Sequence, residues 1–406
     1  MNEATLNYVR QHADDDVRML ALRGSKDEGV DMTIALQQIQ GRQTARQKLP
    51  SWASLDAILY PPHLNMEQCS SEQTARYKAD ICRRLLQGYT GATSLVDLTG
   101  GFGVDFAWMS EAFAEATYVE QNSELFAISS SNFRILNRQV ETLNTDGTDY
   151  LHNISHTTMI FLDPARRDSH GARTYGIGDC TPNVLELKDE LLQKADVVML
   201  KLSPMLDWRK AVSDLGETYV KEIHIVSVQN ECKELLIVMQ KEHVQSCSNN
   251  NVHSPVVHCV NDGVDFVVPE KILVQSTFSS PHVSQFLYEP HTSIMKAGCF
   301  DALSVSFSVY PLAQNSHLFV SDQYVDAFPG RCFQITALSS MNKQELKNSF
   351  SDIRQANISV RNFPLSVAEL RKKLKLGDGG ETYIFATTLA DGKRILLICK
   401  SLRSAK

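Results

Sequence analysis

Long apolar runs are missing from the sequence, since no segment approaches the ~20 consecutive apolar residues that a membrane-spanning helix needs. Clustered cysteines are missing too. The nine cysteines lie far apart and form no CxxC motif, which argues against a zinc or iron–sulfur site. The first residues, MNEATLNYVRQHADDD, contain neither the basic nor the apolar region of a secretory leader. We therefore expect a cytoplasmic protein with reduced thiols, no membrane segment and no bound metal.

A general excess of positive charge is also absent, because the chain carries a formal net charge of −7. This excludes a uniformly basic coat for nucleic acid. The charge is uneven, however: residues 342–406 contain 13 Lys and Arg against 6 Asp and Glu, a balance of +7. The first 341 residues therefore carry −14. A basic C-terminal part on an acidic body is compatible with a module that faces RNA.

The 406 residues, of which 43% are apolar, are enough for two to four domains with separate cores. Apolar residues recur three and four positions apart up to about residue 92, which predicts helices over Asn7–Leu22, Met32–Gln47 and Ser71–Leu86. From Ser94 onward, strands alternate with helices. The predicted strands are Ser94–Leu98, Ala116–Glu120, Gln139–Thr142, Thr158–Leu162 and Val197–Leu202, and the predicted helices are Asp105–Glu111, Ser123–Leu136 and Val184–Lys194.

This alternation predicts an α/β fold with a Rossmann-like parallel sheet that helices cover on both faces. Glu222–Val228 and Glu234–Gln240 are two further strand patterns split by a short polar turn. They predict an antiparallel hairpin at the edge of the sheet. Such an ending is informative, because dinucleotide-binding domains usually stay parallel throughout.

The C-terminal part predicts small α+β modules. Thr292–Leu303 has the pattern of a helix, and Val305–Tyr310 and His317–Ser321 have the pattern of strands. From Cys332 onward the elements follow the order β-α-β-α-β-β. We therefore predict four domains: a helical domain over 1–92, the Rossmann-like domain over 93–271, and α+β domains over 272–331 and 332–406.

The most informative motif is a glycine loop, Val96-Asp97-Leu98-Thr99-Gly100-Gly101-Phe102-Gly103-Val104-Asp105, where an apolar strand leads through three glycines into a helix. Glycine accepts positive φ and lets a ligand approach the backbone without a Cβ in the way. A ligand there would meet free N–H groups at the start of the helix. The dinucleotide fingerprint needs Gly or Ala three positions after its second glycine, and the bulky Phe106 stands there. The sequence therefore disfavours an NAD-type oxidoreductase.

This loop resembles the first motif of the class I S-adenosylmethionine (SAM) methyltransferases, with Asp97 and the Gly101-x-Gly103 core in the matching places. Thr99 stands where many members have glycine. The resemblance implies that SAM is the cofactor and that Asp97, Thr99, Gly101 and Gly103 hold it.

Two acidic residues follow the next two strands. Glu120 ends the strand Tyr118-Val119-Glu120, where a carboxylate can accept both ribose hydroxyls of the cofactor. Asp146 falls where the family has the acid that accepts from the adenine amino group. Asn144-Thr145-Asp146-Gly147 is also an ordinary turn sequence, and that alternative stays open.

The fourth strand of the alternation ends in Asp163-Pro164-Ala165-Arg166-Arg167. Ligands of such sheets gather at the carboxyl ends of the strands, so Asp163 is expected beside the methyl donor. The stretch resembles the Asp/Asn-Pro-Pro motif of methyltransferases that act on nucleobases, which implies catalytic roles for Asp163, Pro164 and Arg166. Ala165 and Arg166 depart from that motif and leave the target atom open. Arg167 is a candidate for a substrate phosphate, although a salt bridge within the loop explains the arginines equally well.

Two more features are expected at the edge of the sheet where the parallel strands end. Lys201 lies on an apolar strand and is expensive to bury unpaired, so we expect it to pair with an acid such as Asp163 or to reach solvent. A structural pair is favoured over a catalytic base. The glycine-rich stretch Gly171–Asp179 is a candidate for a mobile substrate lid.

Three further stretches narrow the resemblance to a bacterial group of SAM methyltransferases with a ferredoxin-like insert and a THUMP-like C-terminal domain. They are the lead-in helix from Glu67 to Lys78, the Leu287-Tyr288-Glu289-Pro290 stretch with Lys296-Ala297-Gly298, and Arg361-Asn362-Phe363-Pro364-Leu365 with Gly379-Gly380-Glu381-Thr382-Tyr383. The 272–331 domain is then ferredoxin-like and the 332–406 domain THUMP-like. THUMP domains in related enzymes bind RNA, and Lys372 and Lys373 are candidates for phosphate contacts. A solvated helix face explains the same lysines.

The sequence therefore predicts a methyltransferase that acts on structured RNA, tRNA or rRNA, without a metal and with no sign of DNA specificity. Direct attack on the sulfonium needs only alignment and electrostatic support. Two alternatives stay open: a methyltransferase for protein or small molecules, and a module that binds SAM or RNA without catalysis.

Overall fold

The computed structural model describes residues 1–25, 27–166, 176–241, 254–270 and 284–402, with the backbone alone at Arg166. The chain forms two compact units. The first unit comprises Met1–Ile223 and Glu234–Pro255, and the second comprises His224–Lys233 and Val256–Lys406. The predicted domain boundaries near residues 92, 271 and 331 stay predictions. Among the residues just given, no helix is long and apolar enough to cross a membrane.

The first unit begins with six helices. They are α1 Glu3–Gln11, α2 Val17–Arg23, α3 Met32–Lys48, α4 Pro50–Ala53, α5 His63–Gln68 and α6 Glu72–Leu85. The single helix predicted over Asn7–Leu22 is wrong, because Asp16 accepts hydrogen bonds from the N–H groups of Arg18 and Met19 and so starts a second helix. The predictions for α3 and α6 are confirmed to within one or two residues, and Ser71 caps α6 as expected.

A strand–helix alternation follows, as predicted. Its strands are β1 Ser94–Asp97, β2 Glu115–Val119, β3 Glu141–Leu143, β4 Thr157–Leu162, β5 Ala165–Arg166, β6 Cys180–Thr181, β7 Ala195–Leu202, β8 Val220–Val228 and β9 Glu231–Gln240. Its helices are α7 Val104–Met109, α8 Ser123–Ile135, α9 Gly147–Asn153, α10 Val184–Lys194 and α11 Trp208–Leu215. The pattern did not predict α9 or α11, which are short and start at aspartate caps.

The sheet of the first unit has the order β9-β7-β4-β1-β2-β3, and β5 with β6 forms a separate small pair. Strands β7, β4, β1, β2 and β3 are parallel, whereas β9 runs antiparallel to β7 and has β8 on its other side. The predicted parallel sheet with a neighbouring antiparallel hairpin is therefore confirmed. The hairpin does not lie at the edge of the sheet, because two further strands follow β8 in the strand order. Every residue of β4 is buried, as expected for a central strand. We call the edge formed by the carboxyl ends of the parallel strands the carboxyl edge.

The second unit is built on a mixed sheet, in which one pair of strands is parallel and the other described pairs are antiparallel. Its elements are β10 Val256–Asn261, β11 Val264–Val267, β12 Phe286–Pro290, α12 Thr292–Ala297, α13 Phe300–Phe307, β13 Tyr310–Pro311, β14 Phe319–Ser321, β15 Gly330–Ser340, α14 Lys343–Phe350, β16 Asn357–Arg361, α15 Val367–Leu374, β17 Thr382–Thr388 and β18 Arg394–Ser401. Seven strands form the sheet β13-β14-β12-β15-β18-β17-β16. The order β-α-β-α-β-β predicted for its last part is confirmed.

Two predictions in the second unit are wrong. The helix predicted over Thr292–Leu303 ends at Ala297, because Gly298 adopts a left-handed conformation with φ 68° and a new helix starts beyond it. The strand predicted over Val305–Tyr310 starts inside α13, which continues to Phe307. The apolar run there is short, and periodicity alone does not separate a buried helix from a strand over such a length.

Candidate active site

The glycine loop between β1 and α7 is shaped by two glycines with opposite surroundings. Gly103 has φ 77°, and a Cβ there would lie 2.6 Å from the ring of Phe133, so close packing requires this glycine. Gly101 has φ 54°, and a Cβ there would meet nothing nearer than the carbonyl oxygen of Thr99, at 3.8 Å. The loop is therefore packed at Gly103 and open at Gly101.

The amide groups of this loop are already used within the protein. Gly101 donates its N–H to Glu120 Oε2 over 2.7 Å, and Gly100 donates to the carbonyl of Val119 over 2.9 Å. The N–H of Gly103 reaches the carbonyl of Gly100, and that of Thr99 reaches Asp97 Oδ1. The expectation of free N–H groups is therefore wrong for these four residues.

The carbonyl side of Gly101 is held just as firmly. The Tyr118 hydroxyl donates to the Gly101 carbonyl over 2.5 Å, and the Ser129 hydroxyl donates to it over 3.1 Å. On the outer side of the loop, the Phe102 ring packs edge-on against Trp52 of α4, with 5.3 Å between ring centroids. The loop is thus rigid before any ligand arrives.

Glu120 lies buried at the end of β2 and joins the loop to the start of α8. Its Oε1 accepts the N–H of Asn122 over 2.7 Å, while Oε2 accepts the N–H of Gly101. A carboxylate offers about four lone-pair positions, so two remain for a ligand.

Asp97, at the end of β1, is almost fully buried. Burial raises its pKa well above the ordinary value, and the charges of Asp105, Asp163 and Glu120 raise it further, against the N–H of Thr99.

Asp146 caps α9, where its Oδ1 accepts from the N–H groups of Thr148 and Asp149. The side chain is exposed. Gly147 brings this cap close to the glycine loop, since a Cβ there would lie 2.0 Å from the carbonyl oxygen of Leu98. Sequence reasoning did not identify Gly147, although a glycine directly after the predicted acid was the available signal.

Asp163 follows β4 at the carboxyl edge and is tied to the end of β1. Its N–H donates to the hydroxyl of Thr99 over 2.7 Å. Its Oδ2 lies 2.6 Å from Lys201 Nζ, so the predicted pair is confirmed. About 40% of the Asp163 side chain is exposed, and Pro164 beside it is buried. The geometry leaves this carboxylate open on one side and held on the other.

Behind Asp163 lies a buried chain of charges that the sequence did not predict. Lys201 Nζ also lies 3.2 Å from Asp105 Oδ2, and Lys78 Nζ lies 3.1 Å from Asp105 Oδ1 and 2.5 Å from Glu234 Oε1. The Ser70 hydroxyl donates to Asp105 Oδ2 over 2.7 Å. The available signal was Lys78 itself, a charged residue on the buried face of α6 beside Ala75 and Ala79.

Burial and the neighbouring charges both shift the pKa values within this chain. Burial opposes ionisation of Lys201, but Asp163, Asp105 and Glu234 outweigh it and raise the pKa of Lys201 well above the ordinary value. Burial likewise opposes the charge of Asp105, yet Lys78 and Lys201 lower its pKa. The pairing therefore favours the charged forms of Lys201 and Asp105, whereas burial outweighs the lysines at Glu234 and raises its pKa.

The structure describes only some of the remaining predicted residues. The backbone of Arg166 pairs with Cys180 in the small β5–β6 ladder. Arg167 and residues 171–175 of the predicted lid lie outside the described residues. Lys372 and Lys373 are exposed on α15 of the second unit.

Comparison with known proteins identifies domains of the second unit. The THUMP domain-like family matches residues 330–401, and a ferredoxin-like domain family matches residues 286–329. A search of curated proteins found no match.

Comparison with solved structures covers nearly the whole chain. A crystal structure from Porphyromonas gingivalis W83, assigned as a methyltransferase, is 31% identical, with a TM-score of 0.84 and 98% of each chain covered. A class I S-adenosylmethionine-dependent methyltransferase from Listeria monocytogenes is 11% identical over 64% of this chain and 94% of its own, with a TM-score of 0.40. A methyltransferase from Streptococcus mutans in complex with SAH is 11% identical over 40% of this chain and 97% of its own, with a TM-score of 0.30. On the strength of the first match, the chain belongs to the methyltransferases that carry a ferredoxin-like and a THUMP-like domain.

Proposed function

We propose that this enzyme transfers the methyl group of SAM to a nucleobase nitrogen of structured RNA, either tRNA or rRNA. The observation that carries the proposal is the position of Asp163. Its carboxylate is partly exposed at the carboxyl edge and is linked through Thr99 to the glycine loop. An acceptor held by Asp163 would therefore lie beside a donor held at that loop.

The residues of the first unit fit SAM as the donor. Gly101 offers backbone with open space where a Cβ would stand, which suits close approach of the nucleoside. Glu120 would accept the ribose hydroxyls with its remaining lone pairs, and Asp146 would accept from the adenine amino group with the oxygen that does not cap α9. Asp97 would shape the loop through its bond to Thr99. SAM supplies an electrophilic methyl group on a sulfonium.

Asp163 and Pro164 would act on the acceptor. The Asp163 carboxylate would accept a hydrogen bond from the attacking nitrogen and align its lone pair, and the backbone carbonyl of Pro164 offers a second acceptor. Arg166 and Arg167 follow directly and would hold a substrate phosphate in their guanidinium forks.

The preference for RNA comes from the second unit. Its THUMP-like part carries the basic C-terminal sequence, and Lys372 and Lys373 are exposed on α15, where they would contact phosphates. Arg371 is less suited, because it already donates to two backbone carbonyls and to Asp378. An enzyme that acts on tRNA or rRNA would work in the cytoplasm.

Transfer of labelled methyl groups from SAM to total RNA tests this function. The wild type should label RNA, and Asp163→Ala should lower the rate by about 10²-fold or more, as expected when a group that aligns the acceptor is removed. Asp189→Ala is the matched control, since it removes a carboxylate that is almost fully exposed on α10 of the same unit. Label in protein but not in RNA would overturn the choice of substrate, and full activity in Asp163→Ala would overturn the role of Asp163.

A further inference from the structure

The buried chain of charges leads from the core of the first unit to the open carboxylate of Asp163. Lys78 and Glu234 are fully or almost fully buried, Asp105 and Lys201 are about one-tenth exposed, and Asp163 is about 40% exposed. The chain therefore has one end at the proposed acceptor and the other end in the buried interior.

Lys201 stands at the point where this chain meets the site. Leu162 of β4 pairs in register with Leu200 of β7, and Asp163 and Lys201 are the next residues along the two strands. The Lys201 ammonium bridges Asp163 Oδ2 on one side and Asp105 Oδ2 on the other, over 2.6 and 3.2 Å. Because both strands are central and Asp105 is fixed by Lys78 and Ser70, the ammonium has little freedom to move.

We propose that Lys201 is a positioning residue for methyl transfer: it binds Oδ2 of Asp163 and leaves Oδ1 to face the acceptor. This inference rests on the proposed role of Asp163. Asp105 contacts Lys201 on the side away from Asp163, and Lys78 holds Asp105 in place, so that Asp163 has one orientation before the substrate binds.

The chemistry requires a group that takes a proton. The lone pair of the acceptor nitrogen forms a bond to the methyl carbon while the bond from that carbon to sulfur breaks. The sulfur keeps the bonding electrons and becomes a neutral thioether, and the proton of the nitrogen passes to Asp163 Oδ1 and then to water. Lys201 takes no part in this proton transfer, and its role is to fix the place of the base.

A double-mutant cycle tests this role, because residues that act as one unit give non-additive effects. Lys201→Met and Asp163→Ala should each lower kcat by about 10²-fold. The double variant should be no more than about threefold slower than Asp163→Ala, since Lys201 has nothing left to position. The dissociation constant for SAM should change by less than about threefold in all three variants. Effects that multiply in the double variant would overturn the proposal.

Conservative replacement and a matched control complete the design. Lys201→Arg keeps the positive charge and should be at least about tenfold faster than Lys201→Met. Lys210→Met removes an exposed lysine that pairs with Asp214 on α11 and should leave kcat unchanged. Thermal melting of every variant shows which ones are folded. If Lys201→Met does not fold, the same cycle is run with Lys201→Gln, and equal rates for the Arg and Gln variants contradict the proposal.

The cycle also separates this inference from the choice of substrate. Label is followed in both total RNA and a protein extract, and the cycle is read on whichever of them the wild type labels. Label in protein alone contradicts the RNA proposal. The coupling between Lys201 and Asp163 is then measured on the labelled protein. If RNA is labelled but the two substitutions show no coupling, the RNA proposal is supported and the positioning role of Lys201 is contradicted.

Discussion

At the scale of single residues, Asp97 makes stability depend on pH in the direction opposite to most acids. Burial raises the pKa of its carboxyl, so the folded protein holds this proton more tightly than the unfolded chain does. Below the ordinary pKa of an aspartate, the carboxyl is protonated in both the folded and the unfolded state, so it does not lower the free energy of unfolding. As the pH rises above that value, the unfolded chain releases the proton first, and the free energy of unfolding falls.

Asp97→Asn should therefore stabilise the protein at high pH more than at low pH. Asparagine keeps the acceptor for the Thr99 N–H and removes the group that titrates. We expect the gain in free energy of unfolding to be larger at pH 8 than at pH 4.5 by about 1–3 kcal/mol, the usual cost of a poorly compensated buried polar group. Denaturant unfolding at the two pH values measures this gain. Asp189→Asn, at an exposed site, should show no such difference, and an equal gain for Asp97→Asn at both pH values contradicts the argument.

The sequence identified single residues whose chemical type and whose position at the end of a strand both indicate a site. Asp163, Lys201 and Glu120 each end or follow an apolar strand, and topology brings such strand ends together. Their functional roles stay predictions. The pair of Lys78 with Glu234 could not be predicted, because the two residues lie 156 positions apart and meet only in the folded core. The sequence around each residue does not indicate its partner.

At the scale of elements, substitutions at Gly101 and Gly103 of the loop are expected to have different effects. Gly103→Ala should be strongly destabilising, since the added methyl would lie 2.6 Å from Phe133 and the residue would keep φ near 77°. Gly101→Ala should cost only about 1–2 kcal/mol for its positive φ, because nothing lies near its Cβ. Its methyl would, however, stand in the space proposed for SAM. We expect a loss of SAM affinity of at least about tenfold in Gly101→Ala, or about 1.4 kcal/mol.

Calorimetric titration with SAM and denaturant unfolding separate the two effects. The Gly103→Ala variant serves as the comparison for denaturant unfolding, because its methyl would lie 2.6 Å from the Phe133 ring. Unchanged SAM affinity in a folded Gly101→Ala protein would remove the glycine loop as the donor site. Gly147→Ala is a less useful probe, since its Cβ would collide with the Leu98 carbonyl and disturb the fold as well.

The elements that the sequence predicted well have strong periodicity and clear ends. Strands β1, β2, β4 and β7 and helices α8 and α10 match to within one or two residues. The errors occur where a side chain or a glycine interrupts a continuing apolar pattern. Asp16 divides one predicted helix and Gly298 divides another. In both places the local backbone hydrogen bonds decided the outcome against the apolar periodicity.

At the scale of the whole molecule, the sequence predicted the succession of helices, parallel sheet, antiparallel hairpin and α+β modules, which the structure and the family matches support. The substrate does not follow from this architecture, because folds of this kind serve many acceptors. The uneven charge of the chain is the remaining feature of the whole molecule that indicates a substrate. It supports RNA only if the basic C-terminal part contacts phosphates.

The salt dependence of tRNA binding tests that contact. Each phosphate that a lysine neutralises releases counterions and steepens the fall of affinity with salt, so replacing both Lys372 and Lys373 by Ala should reduce the slope of log K against log[salt] by about 2. Replacing Lys343 and Lys347 by Ala is the matched control, since both are exposed on α14 of the same unit and remove the same charge. A general effect of net charge would lower the two slopes equally, whereas phosphate contacts at α15 lower only the first. Filter binding at several salt concentrations distinguishes these results, and an unchanged slope in the α15 variant places the RNA contact elsewhere on the protein.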